Sequence, residues 1–219
     1  MTTRPKRRIH SSIDETMAIT HANYVAIDIK ISGPDEERDS ICSIGAILMS
    51  GGRIELGETF YKILKPEEFS SERNVALPGI ASATLVPEPD LAPVLAEFLA
   101  LADNDILAGH LVATDLAFLR NEVKRLIGTE VRNPVIDTYQ IYHWLMRQEA
   151  SGTFYTPENV KLYEVASQLG IAVSSNHDSM NDAFITAQIL QRLMPMLMKA
   201  GVKTVGDLLR IGNPSTGLS

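Results

Sequence analysis

The stretch that most constrains this chain is Tyr24-Val25-Ala26-Ile27-Asp28-Ile29, a short apolar run of strand formers interrupted by one carboxylate. Such a run reads as a strand buried on both faces. An aspartate inside it is costly unless a cation or hydrogen-bond donors meet it, so Asp28 marks a candidate functional edge. The flanking pattern supplies the rest of a sheet. Residues 41–49 read as a second strand, Ser50-Gly51-Gly52 as a tight turn, and Ile54, Leu56, Phe60, Ile63 and Leu64 as a third strand with an irregularity near Gly57. Links this short require an antiparallel meander.

Beyond Pro66 the texture changes to loop and helix. Helical periodicity predicts helices over 91–101, 115–127, 138–147, 160–169, 181–199 and 204–209, with a kink at Pro195. Short strands are predicted over 105–109 and 134–136, and a loop over 152–158. A meander followed by alternating strands and helices gives an α/β fold, a mixed five-stranded sheet flanked by helices. The expected organisation is a basic N-terminal tail over 1–21, one domain over 22–200, and a short helix and tail over 201–219.

The chain has 20 basic and 27 acidic residues, a net charge of -7. That excludes polyanion binding by bulk electrostatics; a partner rich in phosphate requires a local cation or metal ions. Arg4, Lys6, Arg7 and Arg8 against Asp14 and Glu15 leave the tail at +2, and Ile9 and Ile13 offer anchors to the domain. The single cysteine, Cys42, rules out an internal disulfide and fits a reducing compartment. With no apolar run of about 18 residues and no signal-peptide core, the expectation is a cytoplasmic protein with no membrane partner.

Three aspartates fall at element edges. Asp28 lies in the first strand. Asp115 opens a helix, where beside Thr114 it also fits an N-cap. Asp182 lies near another helix start, where an acid also complements the dipole. They are separated by 87 and 67 residues. Their settings are Ala26-Ile27-Asp28-Ile29-Lys30-Ile31-Ser32-Gly33, Gly109-His110-Leu111-Val112-Ala113-Thr114-Asp115, and His177-Asp178-Ser179-Met180-Asn181-Asp182. In order and spacing this resembles the DEDDh branch of the DnaQ-like 3′–5′ exonucleases, which includes the proofreading epsilon subunit of bacterial DNA polymerase III. The resemblance covers residues 22–200 and extends to Ile44-Gly45-Ala46, Asp137-Thr138 and Thr186-Ala187-Gln188.

The resemblance implies a ribonuclease H-like exonuclease fold and metal-dependent 3′–5′ hydrolysis of single-stranded DNA or frayed 3′ ends. It implies two Mg²⁺ or Mn²⁺ ions about 4 Å apart on four carboxylates. By position, Asp28 bridges the ions, Asp115 supports the leaving-group ion, Asp182 holds the nucleophile-side ion, and His177 is the general base. Ser32 and Gly33 are implied backbone contacts to the terminal nucleotide. His110 is a candidate substrate contact that also reads as structural. A polymerase or repair protein is the implied partner; a second copy of the chain and short RNA are alternatives.

The departures carry as much information. Lys30 stands at the position of the first motif's glutamate and Ile31 follows it; Leu111 replaces an asparagine and Thr114 an aromatic residue. The matched acids supply -3 and Lys30 adds +1. The expectation is a weakened site with at most one ion, through Asp28 and Asp115. Lys30 then pairs with Asp28 or Asp182, or holds a substrate phosphate. Rescue by Asp178 or the Asp35-Glu36-Glu37 run is a third outcome. The alternative function is a catalytically inactive exonuclease-fold module binding nucleic acid, nucleotide or a protein partner.

Overall fold

The computed structural model describes residues 13–36, 38–64, 89–149, 160–174 and 176–214. Five strands, β1 (Asn23–Ile31), β2 (Ile41–Ser50), β3 (Arg53–Ile63), β4 (Ile106–Gly109) and β5 (Val135–Asp137), form one sheet in the order β3-β2-β1-β4-β5. The first three are antiparallel, and β4 and β5 run parallel to β1. This is the mixed sheet expected. The helices are α1 (Leu91–Ala102), α2 (Ala113–Glu122), α3 (Thr138–Glu149), α4 (Leu162–Gln168), α5 (Ser179–Lys199) and α6 (Val205–Ile211). A π turn carries α2 on to Ile127, and α5 continues as one helix through Pro195. The loop predicted over 152–158 and the segment just after Pro66 lie outside the described residues.

Strand alternation divides β1 between two apolar layers. Val25, Ile27 and Ile29 pack with Leu95 and Phe98 of α1 and Leu116 and Leu119 of α2. Tyr24 and Ala26 face the other layer, built on Ile185, Ile189, Leu193 and Leu197 of α5 with contributions from α3, α4 and α6. That four-residue recurrence lays one stripe of α5 on the sheet, and each such side chain contributes roughly 1.5–3 kcal/mol when fully buried. Cover on both faces is why the first strand reads as a continuous apolar run. By the same alternation Asp28 and Lys30 face α5.

Close seating of α5 fixes the site. Pairing places Asp28, Gly45 and Tyr61 in one row across β1, β2 and β3. The first turn of α5 lies directly over Gly45, where an added Cβ would stand 2.2 Å from the Ser179 carbonyl. Next to it, the buried hydroxyls of Ser43 and Ser179 meet at 2.9 Å. Pairing of β1 with β2 shifts between Lys30 and Ile31, a bulge at the site's edge. The irregularity expected near Gly57 is present: Ile47 pairs with Thr59 but Met49 with Ile54, leaving extra residues in β3.

The segments flanking 22–200 meet at the opposite end of the sheet. Ala18 bridges Thr204, Ile19 N–H donates to Lys203 O at 3.0 Å, and Val205 N–H donates to Met17 O at 2.8 Å. Ile19, Val202, Val205 and Leu208 are buried there, and Ile13 packs against the same layer. Residues 17–19 are thus built into the core's edge. The basic cluster of residues 4–8 and Ile9 lie outside the described residues.

Gly45→Ala is expected to lower stability by about 2–3 kcal/mol, because the backbone above it has no room to move aside. Gly57→Ala, where an added Cβ meets nothing within 4 Å, should stay within about 0.5 kcal/mol. Urea unfolding of the two variants checks both.

Candidate active site

Asp28, Asp115 and Asp182 converge at the end of β1 as expected, and Lys30 sits among them. Its ammonium lies 2.9 Å from Asp28 Oδ2 and donates a short hydrogen bond to Asp182 Oδ2. The Asp28 contact is ionic but lacks hydrogen-bond alignment: Asp28 Oδ2 is buried and accepts no hydrogen bond among the described residues. Burial draws the Lys30 ammonium's pKa down, yet Asp28 and Asp182 outweigh it, and the net effect is upward. The cation is therefore fixed. Burial pushes the Asp28 carboxyl up to about 6, Lys30 pulls against this, and Asp182 and Asp178 add to it.

Asp115 is in the first turn of α2, two residues inside its start at Ala113, and does not cap it. Its Oδ2 accepts from Ile29 N–H at 3.3 Å, which ties α2 to β1. Burial pushes its carboxyl up to about 8, the Asp28 charge adds to the rise, and the Ile29 amide and Lys30 oppose it. At neutral pH Asp115 therefore holds its proton more often than not.

Asp182 follows the α5 N-cap Asp178. Its second oxygen, Oδ1, accepts a short hydrogen bond from Tyr163 of α4. Asn181 Nδ2 in turn donates to Tyr163 OH at 3.1 Å, and the Tyr163 ring lies 4.5 Å, centroid to centroid, from that of His177. His177 is exposed at this edge. Tyr163 is a site residue that the sequence pattern concealed, since it reads only as part of an amphipathic helix. Asp137, part of the sequence pattern, accepts from Leu111 N–H at 2.9 Å, Val112 N–H at 3.1 Å and Tyr139 N–H at 2.9 Å. Its sequence signal was an acid closing a short strand just before a helix.

His110, Ser32 and Gly33 each meet other groups of the fold. Burial pushes the His110 imidazole down to about 4 and keeps it neutral. A neutral ring donates from one nitrogen. Nε2 faces the Val160 carbonyl at 3.2 Å and must donate, so Nδ1 is the unprotonated nitrogen; it lies 2.9 Å from the Thr138 hydroxyl, whose one proton also has the Gly109 carbonyl at 3.0 Å. Neither nitrogen is left for a ligand. Ser32 Oγ donates to Asp39 Oδ1 at 2.9 Å and Ser32 N–H donates to Ser40 O at 3.0 Å. The same Asp39 carboxylate fills the space beside Gly33. Thr114 and Leu111 are exposed, and Leu111 adopts a left-handed backbone with φ 54°.

Two divalent ions do not fit this donor set. Lys30 brings a positive charge among the three aspartates, and both oxygens of Asp182 accept hydrogen bonds from protein groups. No group of three or more His, Cys, Asp or Glu among the described residues is arranged to hold a metal. Among the described residues, the acids considered for rescue are engaged by other groups. Asp178 Oδ1 caps α5 through Asn181 N–H at 2.7 Å and Oδ2 accepts from Asn176. Glu36 accepts from Asn121 and Asp35 pairs with Arg38 at 3.6 Å; Glu37 lies outside the described residues.

The raised acids set the sign of a pH effect. Between the ordinary aspartate value of 3.8 and about 8 the folded state keeps the Asp115 proton that the unfolded chain has lost. Stability from this group therefore falls as pH rises through that window. Asp115→Asn keeps a neutral acceptor for Ile29 and removes the titration. It should raise stability by about 1–3 kcal/mol at pH 8 and change little at pH 4, read from urea unfolding at both values. Leu111→Asn suits the left-handed backbone and should add about 0.5–1 kcal/mol, seen as a higher Tm.

Comparison with known proteins agrees with this geometry. The family model described as Exonuclease, RNase_T, matches residues 25–190. The chain is 30% identical over 189 residues to the DNA polymerase III subunit epsilon of Aquifex aeolicus, covering 86% of this chain and 89% of that protein. It is 28% identical over 188 residues to the PolC-type DNA polymerase III of Thermotoga petrophila, of which it spans only 13%. The fold matches that of cell-death related nuclease 4 (CRN-4) with TM-score 0.61 at 14% identity, covering 84% of this chain and 67% of that one. It also matches E. coli Exonuclease I in complex with a dT13 oligonucleotide, again with TM-score 0.61 at 14% identity, over 82% and 42% of the two chains. The chain belongs to the RNase_T exonuclease family.

Proposed function

We propose that this chain binds the 3′ end of single-stranded DNA through an exonuclease fold in which phosphodiester hydrolysis is held to a residual level or lost. The observation that carries this reading is the Lys30 ammonium in contact with both Asp28 and Asp182. Exonucleases of this family use divalent metals, and such ions require carboxylates unencumbered by a protein cation. An ammonium has three N–H donors. One serves Asp182, and Lys30 is 28% exposed at the cleft, so the group can also meet a phosphate oxygen. This provides the local cation that a chain of net charge -7 needs for phosphate. The polymerase relatives support a replication or repair polymerase as partner.

A second reading, slow metal-dependent 3′–5′ hydrolysis, is favoured by the nearness of the Asp28 carboxylate to Asp115, which raises the Asp115 carboxyl. Those two carboxylates would hold a single Mg²⁺ or Mn²⁺, which polarises the phosphodiester when bound. His177 presents an exposed imidazole able to take a proton from water.

A 5′-labelled single-stranded oligonucleotide separates the readings. The expected result is no 3′-shortening ladder from the native chain with Mg²⁺ or Mn²⁺, and oligonucleotide binding by anisotropy that persists in EDTA. Lys30→Ala should weaken that EDTA-resistant binding by about tenfold, as for loss of one charge-assisted contact. A ladder abolished by Asp28→Ala would establish the second reading. Failure to bind in EDTA would overturn the first.

A further inference from the structure

Restoring an acid at position 30 looks sufficient to rebuild the family's metal site. The geometry around Asp182 points elsewhere. Its two oxygens are engaged by different elements: Oδ2 by Lys30 from β1, and Oδ1 by the phenol of Tyr163 from α4. Asn181 Nδ2 donates to the phenol oxygen at 3.1 Å and also to Asn176 O. The one phenol proton has two acceptors, Asp182 Oδ1 and, at 3.0 Å, the Asn176 carbonyl, and the carboxylate contact is the shorter. Asn181 is itself held by Ser174 Oγ, which donates to its Oδ1 at 3.0 Å. The Tyr163 ring lies against His177. One side chain thus spans the loop bearing His177 and the carboxylate of Asp182.

We infer that Tyr163 is a second, independent block on the nucleophile-side ion, because it occupies the carboxylate oxygen of Asp182 that Lys30 leaves open. It is a positioning residue: it acts on Asp182 and His177 and touches no reacting atom. The inference rests on the reading of Lys30 given above and goes past it. Replacing Lys30 with an acid gives Asp182 back one oxygen only. Replacing Tyr163 with phenylalanine gives back the other and leaves the ring against His177. The two changes should therefore act together on ion binding, whatever either does to turnover.

The test is a titration of four full-length proteins with Mn²⁺, following the free ion by electron paramagnetic resonance: native, Lys30→Glu, Tyr163→Phe, and the double variant. Tm in EDTA and in Mn²⁺ is measured beside it. Native and Tyr163→Phe should each bind at most one ion. Lys30→Glu should bind a second ion weakly, and the double variant about tenfold more tightly, as for release of one hydrogen bond to a charged group. Its Tm should rise with Mn²⁺ more than that of either single variant. Equal second-ion affinity in Lys30→Glu and the double variant would overturn the role of Tyr163. Two ions on the native chain would overturn the Lys30 reading, and Tyr163 would then be judged by whether Tyr163→Phe alone tightens the second. A merely structural Tyr163 would lower Tm in EDTA without changing ion affinity, and that result also overturns the inference.

Discussion

The contact of the first turn of α5 with β2 is the constraint on which the rest of the site depends. Backbone lies on backbone at Gly45, and the Ser43–Ser179 hydroxyl pair satisfies the buried polar atoms beside it. At that separation Asp182, one turn into the helix, reaches the strand residues two positions apart on β1. A larger residue at 45 would lift the helix start and pull Asp182 from Lys30. The long apolar stripe of α5 supplies the energy, and the absent side chain sets the distance.

Bringing three carboxylates together in a partly dry pocket is unfavourable, and the molecule resolves this in two ways. One carboxyl, Asp115, stays neutral. The other two share a covalently attached cation. A tethered ammonium differs from a divalent ion in more than charge: it cannot dissociate, it prefers single oxygen contacts to a coordination sphere, and it does not acidify water. The arrangement keeps the three aspartates together with a tethered cation among them. Tyr163 completes the same neutralising network from the opposite side.

Much of this was legible in the chain itself. The buried strand, the meander and the alternation of later elements follow from apolar periodicity, because both faces of the sheet are covered. The pairing of Lys30 with Asp28 and Asp182 follows from putting a cation where an acid is expected. Tyr163 was not legible, since a tyrosine on a short amphipathic helix carries no sign of which carboxylate it will meet. Nor was the left-handed backbone of Leu111, which depends on Asp137 reaching back across 26 residues of sequence. His110 sat in a recognisable motif, but its inward partners, Thr138 and Val160, come from elements whose packing no local pattern encodes.

The closure between residues 15–19 and 203–206 has a kinetic meaning as well as a structural one. Its hydrogen bonds join positions about 190 residues apart, so they form only after the sheet has brought both ends together. The entropy of closing so long a loop rises slowly with length, and the buried Ile19, Val202, Val205 and Leu208 offset it there. This end is therefore a seam that holds the two flanking segments to the domain. It lies at the start of β1, whereas Asp28 and Lys30 lie toward the other end. The seam and the carboxylate cluster are thus held by separate sets of contacts.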